Sequence, residues 1–203
     1  MSWLDAGYAH LKRDPLMAGL IERFEPTRLE KSQDLFKYIA GNIIYQKIST
    51  AAGNAIEKKF IALFDAADFP SPDQIAAKTT EELRAAGLSR PKASYMLDLA
   101  QKVHSGELQI DHLHDLEDDE VRAYLTQVKG IGVWTADMVL MFALHRPDVL
   151  PLGDLGIRNA FKKLLNREEH LSLAEMTEVA EAWRPYRTLA CTYLWKIVDT
   201  KNG

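Results

Sequence analysis

The segment 125–155, LTQVKGIGVWTADMVLMFALHRPDVLPLGDL, constrains the fold of this chain more than any other. Leading into it, Val121, Leu125 and Val128 recur at i, i+4 and i+7, which marks one face of a helix. Lys129-Gly130-Ile131-Gly132 then reads as a tight turn. Its glycines accept positive φ and, lacking Cβ, let their amides approach another surface closely. Across 133–144 the only polar residues are Thr135 and Asp137, which predicts a second helix buried on most sides. A loop bounded by Pro147 and Pro151 carries the chain to Asp154, at the start of a further helix.

Helix, glycine turn and helix together suit phosphate. The turn exposes backbone N–H groups, and the N-terminus of the second helix adds partial positive charge. An ordinary helix–turn–helix corner fits the same residues.

Elsewhere strand signals are almost absent, whereas helical stripes and caps recur. A helical region over 4–24 is interrupted at Asp14-Pro15 and stopped by Pro26. Ser32 is expected to cap a helix to about 45, with Leu35, Phe36, Ile39 and Ile43 facing inward. Ser49 caps the next, in which Ala52, Ile56, Phe60 and Phe64 repeat every fourth residue. After a proline-rich loop at 69–73, short helices are expected at 73–78 and 81–86, the latter ended by Gly87. Ser89, with Pro91 in the first turn, opens a longer helix ending near Ser105-Gly106. Helical segments follow at 111–116, 118–128, 155–165, 172–183 and 186–199. Ser172 and Glu175 form a capping box, and Pro185 precedes the last segment. The fold class expected is all-α.

At 203 residues, 47% apolar and 27% charged, the chain can bury a substantial core as one large domain or two small lobes. The single Cys191 excludes an intramolecular disulfide and a cysteine-ligated iron–sulfur cluster. The six histidines show no zinc-like spacing with carboxylates or cysteine. No apolar run approaches the roughly 20 residues of a membrane span, and the N-terminus has no secretory signature, so a soluble cytoplasmic protein is expected, or a nuclear one in a eukaryote. The net charge of −4 is not that of a typical nucleic-acid binder, although a local basic face can coexist with an acidic remainder.

KGIGVWTADM, followed twenty residues after its Trp by the Asp of LPLGDLGIR, resembles the signature of the helix-hairpin-helix (HhH-GPD) base-excision DNA glycosylases. The stretches NIIYQKISTAAGNAI (42–56) and EAWRPYRTLACTYLW (181–195) match as well, most closely the DNA-3-methyladenine glycosylase II branch. The resemblance implies one glycosylase unit over 1–203, made of two helical lobes with a central cleft and no separate β-rich N-terminal domain. It further implies a monomer acting on double-stranded DNA that contains alkylated bases. Base flipping would be followed by hydrolysis of the N-glycosidic bond of 3-methyladenine- or 7-methylguanine-type purines. A non-catalytic helix-hairpin-helix module that recognises damaged or structured DNA is the alternative.

Asp154 is the first candidate for chemistry. By itself it reads as a helix cap; by resemblance it is the catalytic aspartate, stabilising a sugar cation or activating water. Arg158, one turn on, suits either an ion pair with Asp154 or a phosphate. Asp137, inside the apolar helix, is the rival carboxylate and is expected to satisfy neighbouring groups. Trp134, Tyr193 and Trp195 read as core aromatics on their own; by resemblance they line the base pocket, with aromatic faces suited to a cationic purine, and Met138, one turn after Trp134, would form a soft wall.

The resemblance assigns Gln46, Lys47, Ile48 and Ser49 to the loop that fills the gap left by a flipped nucleotide, with Lys47 at the plug position where an apolar or amide side chain is more usual. Lys129, Gly130, Ile131 and Gly132 would hold phosphate. The carbonyls of Thr126, Val128 and Ile131 would hold a structural Na+ or K+, no other cofactor being implied. In members that also cleave the strand, a lysine stands second after the last glycine. Trp134 occupies that position here, with Lys129 the nearest amine in sequence, so no AP-lyase activity is expected.

Overall fold

In the computed structural model, which describes residues 3–29, 32, 34–64 and 68–199, the chain is helical throughout its regular segments, with no strand among those residues. In chain order the helices are α1 (Trp3–Leu11), α2 (Pro15–Arg23), α3 (Leu35–Tyr45), α4 (Thr50–Ala62), α5 (Pro72–Ala76), α6 (Thr80–Ala85) and α7 (Arg90–His104). There follow α8 (Asp118–Leu125), α9 (Val133–Met138), α10 (Leu155–Leu164), α11 (Leu173–Ala180) and α12 (Arg187–Asp199). Short 3-10 turns lie at Ile110–His114 and Glu181–Trp183.

Local chemistry sets most boundaries. Asp14 caps α2 by accepting from the Met17 amide at 2.9 Å, with Pro15 in the first turn. Ser49 and Ser89 cap α4 and α7, and the Ser172–Glu175 box closes reciprocally at the start of α11. Two further boxes, Ser71–Gln74 and Thr79–Glu82, place α5 and α6 slightly earlier than periodicity suggests. Ser32 is not the cap of α3. Asp34 takes that role, accepting from Lys37 N at 2.8 Å, while Ser32 bonds to the Asp34 carbonyl. α8 stops at Leu125 rather than near 128, because the chain tightens there and Val128 N donates to Leu125 O at 3.1 Å.

The chain divides into two compact units, Met1–Lys31 with Leu140–Gly203, and Ser32–Val139. The first is discontinuous in sequence and holds α1, α2 and α10–α12, with Leu11, Met17, Phe161, Trp183 and Tyr193 fully buried. Phe161 stacks on Trp183 with ring centroids 5.4 Å apart. The second holds α3–α9 around Ile39, Ile43, Phe60, Ile75, Met96 and Leu125. Each such side chain contributes about 1.5–3 kcal/mol by leaving water. The apolar run after the glycine turn is α-helical only to Met138 and continues as a π-helical turn, Val139–Ala143. Sequence periodicity does not distinguish that widening from an ordinary helix.

Candidate active site

In the Ser32–Val139 unit the glycine turn joins α8 to α9 as anticipated, but its glycines differ in role. Gly130 is left-handed (φ +76°), and a Cβ there would lie 2.1 Å from the Tyr95 ring. Gly132 is extended (φ −99°) and caps α9, with open space where its Cβ would be. Only Gly130 therefore needs glycine for backbone and packing reasons. Among the described residues the amides of Gly130 and Gly132 meet no acceptor, whereas the Ile131 amide closes the turn on Val128 O at 3.1 Å. The Thr126 and Ile131 carbonyls accept no backbone bond there, and that of Val128 keeps a second lone pair.

Lys129 is less available than its position suggested. Asp98 on α7 accepts from its amide at 2.9 Å and pairs with its ammonium at 3.3 Å, although the lysine side chain stays 68% exposed. Asp98 thus fixes the entry to the turn from both ends of one lysine.

A groove of about 840 Å³ gathers the turn and the α3–α4 loop. Gln46, Lys47, Ile48, Gly130 and Trp134 line it together, as do Tyr45, Lys92 and Tyr95. The Gln46 amide donates to Gly130 O at 3.0 Å, tying loop to hairpin, so it is a brace rather than a loose probe. Lys47 sits at the loop apex with φ +55°, exposed, beside the 37%-exposed Ile48. Ser49 serves as cap and is absent from the groove lining. Lys92, which carried no sequence signal beyond an amphipathic helix, donates to Ile44 O at 2.8 Å, and burial pulls its ammonium below the usual lysine range. The amines sharing the Trp134 groove are therefore Lys47 and Lys92, not Lys129. Trp134 is 45% exposed, whereas Met138 is only 6% exposed and packs inward. Met138 is thus a core residue, in place of the pocket wall expected of it.

Asp137 has the structural role expected. It is 4% exposed, and its Oδ1 accepts from Arg122 Nε at 2.7 Å. Burial pushes its carboxyl above the ordinary range, against the opposing pull of Arg122.

In the other unit, Asp154 ends the proline-bounded loop as the N-cap of α10. Its Oδ1 accepts from Ile157 N at 2.7 Å and from Trp195 Nε1, on α12, at 2.9 Å. Trp195 also meets Phe142 with centroids 5.9 Å apart, so one aromatic neighbour and the carboxylate fix the indole. Arg158 N bonds to Asp154 O at 3.0 Å within the helix, and its guanidinium Nε is buried with no partner among the described residues. Tyr193 corrects the sequence reading. It is fully buried, its hydroxyl 3.3 Å from that of Tyr8 and its ring under the Lys196 ammonium, so it packs the core and cannot line an open pocket. Burial pushes its hydroxyl well up.

The chain as a whole is similar to known proteins. The chain is 30% identical over 197 residues to DNA-3-methyladenine glycosylase 1 of Schizosaccharomyces pombe, covering 97% of this chain and 84% of that protein. The solved structure of the 3-methyladenine DNA glycosylase of that yeast in complex with abasic DNA superposes with a TM-score of 0.80 at 30% identity, covering 94% of this chain and 95% of the other. A DNA-3-methyladenine glycosidase of Bacillus halodurans superposes with a TM-score of 0.84 at 34% identity, covering 94% and 88%. The family model for HhH-GPD superfamily base excision DNA repair proteins matches residues 40–185, the span that contains the loop, the hairpin and Asp154. The chain belongs to the HhH-GPD superfamily of base excision DNA repair proteins.

Proposed function

We propose that this chain is an alkylbase DNA glycosylase of the 3-methyladenine type II kind, with Asp154 as its catalytic residue. The relatives named above are DNA-3-methyladenine glycosylases, and one was solved on abasic DNA. The observation that carries the reading is Asp154 itself, a carboxylate held at a helix start by an amide at 2.7 Å and an indole N–H at 2.9 Å.

Cleavage breaks the C1′–N bond, and its electron pair leaves with the base. A purine alkylated at a ring nitrogen is already cationic, so it departs neutral and needs no strong general acid. The sugar is left with oxocarbenium character, water adds to C1′, and a proton is released. A carboxylate about 4 Å from that cation, at an effective dielectric of ~20, stabilises it by roughly 4 kcal/mol. If that gain arises mainly in the transition state it corresponds to about a thousandfold in rate. The hydrogen bonds matter because they fix the carboxylate before the charge develops, which is the condition for electrostatic catalysis.

The half-exposed Trp134 offers a π face to a cationic purine, worth about 0.5–2 kcal/mol. Lys47 and Ile48 suit the gap in a duplex left by the flipped nucleotide, and the Gly130 and Gly132 amides suit backbone phosphate. Arg158, with its buried Nε, is a second candidate for phosphate. The Thr126, Val128 and Ile131 carbonyls fit a structural Na+ or K+, which would stiffen the turn and take no part in the chemistry. The protein would act as a monomer on double-stranded DNA.

The same reading makes the enzyme monofunctional, because Trp134 stands where strand-cleaving members of the superfamily carry lysine and an indole forms no imine. Purified protein incubated with methylated duplex should release 3-methyladenine and 7-methylguanine, leaving strands that break only after alkali or heat. DNA binding without base release would favour the non-catalytic module. A borohydride-trapped adduct lost on replacing Lys47 or Lys92 would overturn the monofunctional assignment.

A further inference from the structure

We infer that Trp195 is a positioning residue for Asp154, and that Gly156 is glycine in order to let the two meet. This rests on the reading of Asp154 as the reacting carboxylate. Trp195 reaches from α12 to the start of α10, where its Nε1–H lies 2.9 Å from Asp154 Oδ1. The same oxygen accepts from Ile157 N at 2.7 Å, so two donors from different helices fix one atom. A charge-assisted N–H bond of this kind is strong and directional.

Gly156 is the independent observation. Its φ is not in the left-handed region, so the backbone does not demand glycine, and a glycine inside a helix is otherwise unfavourable. A Cβ at that position would lie 3.0 Å from Asp154 Oδ1, 3.0 Å from Trp195 Cδ1 and 3.2 Å from Trp195 Nε1. Two of these atoms are the donor and acceptor of the hydrogen bond, and a Cβ at 156 would require the carboxylate or the indole to give by a few tenths of an ångström. Phe142, with its ring centroid 5.9 Å from that of Trp195, restrains the indole further. The geometry therefore assigns the N–H edge of Trp195 to the carboxylate, a role separate from stacking on a base.

The test places 3-benzothienylalanine at position 195 of the full chain, which keeps the bicyclic shape and π face but replaces N–H with sulfur. Single-turnover release of 7-methylguanine should fall about tenfold to a hundredfold, the scale of losing one hydrogen bond to a charged group, with unchanged affinity for duplex bearing a tetrahydrofuran abasic analogue. Gly156→Ala should lower the same rate constant. In 15N spectra the Trp195 indole resonance should move in Asp154→Asn, whereas those of Trp3 and Trp183 stay in place. A wild-type rate in the benzothienyl protein, or an indole resonance indifferent to Asp154→Asn, overturns the inference. A resonance that moves, in a protein whose excision is insensitive to Asp154→Asn, supports the contact and overturns the catalytic reading of Asp154 instead.

Discussion

The two compact units treat a carboxylate in opposite ways. In Ser32–Val139, Asp137 is 4% exposed and joined to the Arg122 guanidinium at 2.7 Å. In the other unit, Asp154 lies at a loop–helix junction, its Oδ1 held by two neutral donors, an amide and an indole. A buried carboxylate paired with a guanidinium has its field cancelled locally and organises its surroundings. One held by neutral N–H groups is fixed without being neutralised by them, and can act on a charge that arrives later. Asp137 is nearly closed off from solvent, whereas Asp154 is only part-buried at a loop–helix junction, and that difference in access separates the carboxylate of the fold from that of the chemistry.

That contrast can be broken or sharpened by substitution. Asp154→Asn should cost about a thousandfold in single-turnover excision, with little change in DNA affinity. Gly130→Ala should come next. Its Cβ would overlap the Tyr95 ring at 2.1 Å at a φ of +76°, which predicts a stability loss of a few kcal/mol, read as a lower Tm, together with weaker DNA binding. Gly132→Asp has open space at an extended φ, so Tm should hold. DNA affinity should nevertheless fall about tenfold at low salt, less at high salt, through repulsion of phosphate. Unchanged affinity would remove the hairpin from the interface.

Asp137→Asn should have the smallest effect. Arg122 keeps Asp119 at 2.7 Å, and an amide oxygen can still accept from its Nε. Because burial raises the Asp137 carboxyl, the stability it contributes is fully present below the ordinary carboxylate range and is lost as pH rises through its raised value. The Tm advantage of wild type over Asp137→Asn should therefore shrink or reverse as pH rises from the ordinary carboxylate range upward, with excision per folded molecule near normal. A growing advantage would mean the Arg122 pair outweighs desolvation.

Much of this was legible in sequence because helix ends are local chemistry. Ser49, Ser89 and Ser172 announce their helices within three residues of the amides they cap. At the start of α3 the local pattern pointed to Ser32, whereas the backbone path makes Asp34 the cap. The rest depends on pairs distant in sequence. Asp98 meets Lys129 across 31 positions, Gln46 meets Gly130 across 84, and Trp195 meets Asp154 across 41. Lys92 gave no signal, since a lysine on an amphipathic helix reads as solvated. One correction was available in advance. Tyr193 and Trp195 are two apart on a helix and do not share a face, so assigning both to one pocket conflicts with helical geometry.

The most direct test of the account compares two duplexes, one with a cationic pyrrolidine abasic analogue and one with neutral tetrahydrofuran. The first places positive charge where the transition state develops it. Wild type and Asp137→Asn should prefer the cationic duplex by a large factor, up to about a thousandfold, and Asp154→Asn should lose that preference while binding the neutral duplex normally. A preference retained in Asp154→Asn, or lost in a folded Asp137→Asn, would contradict the assignment of the reacting carboxylate to Asp154.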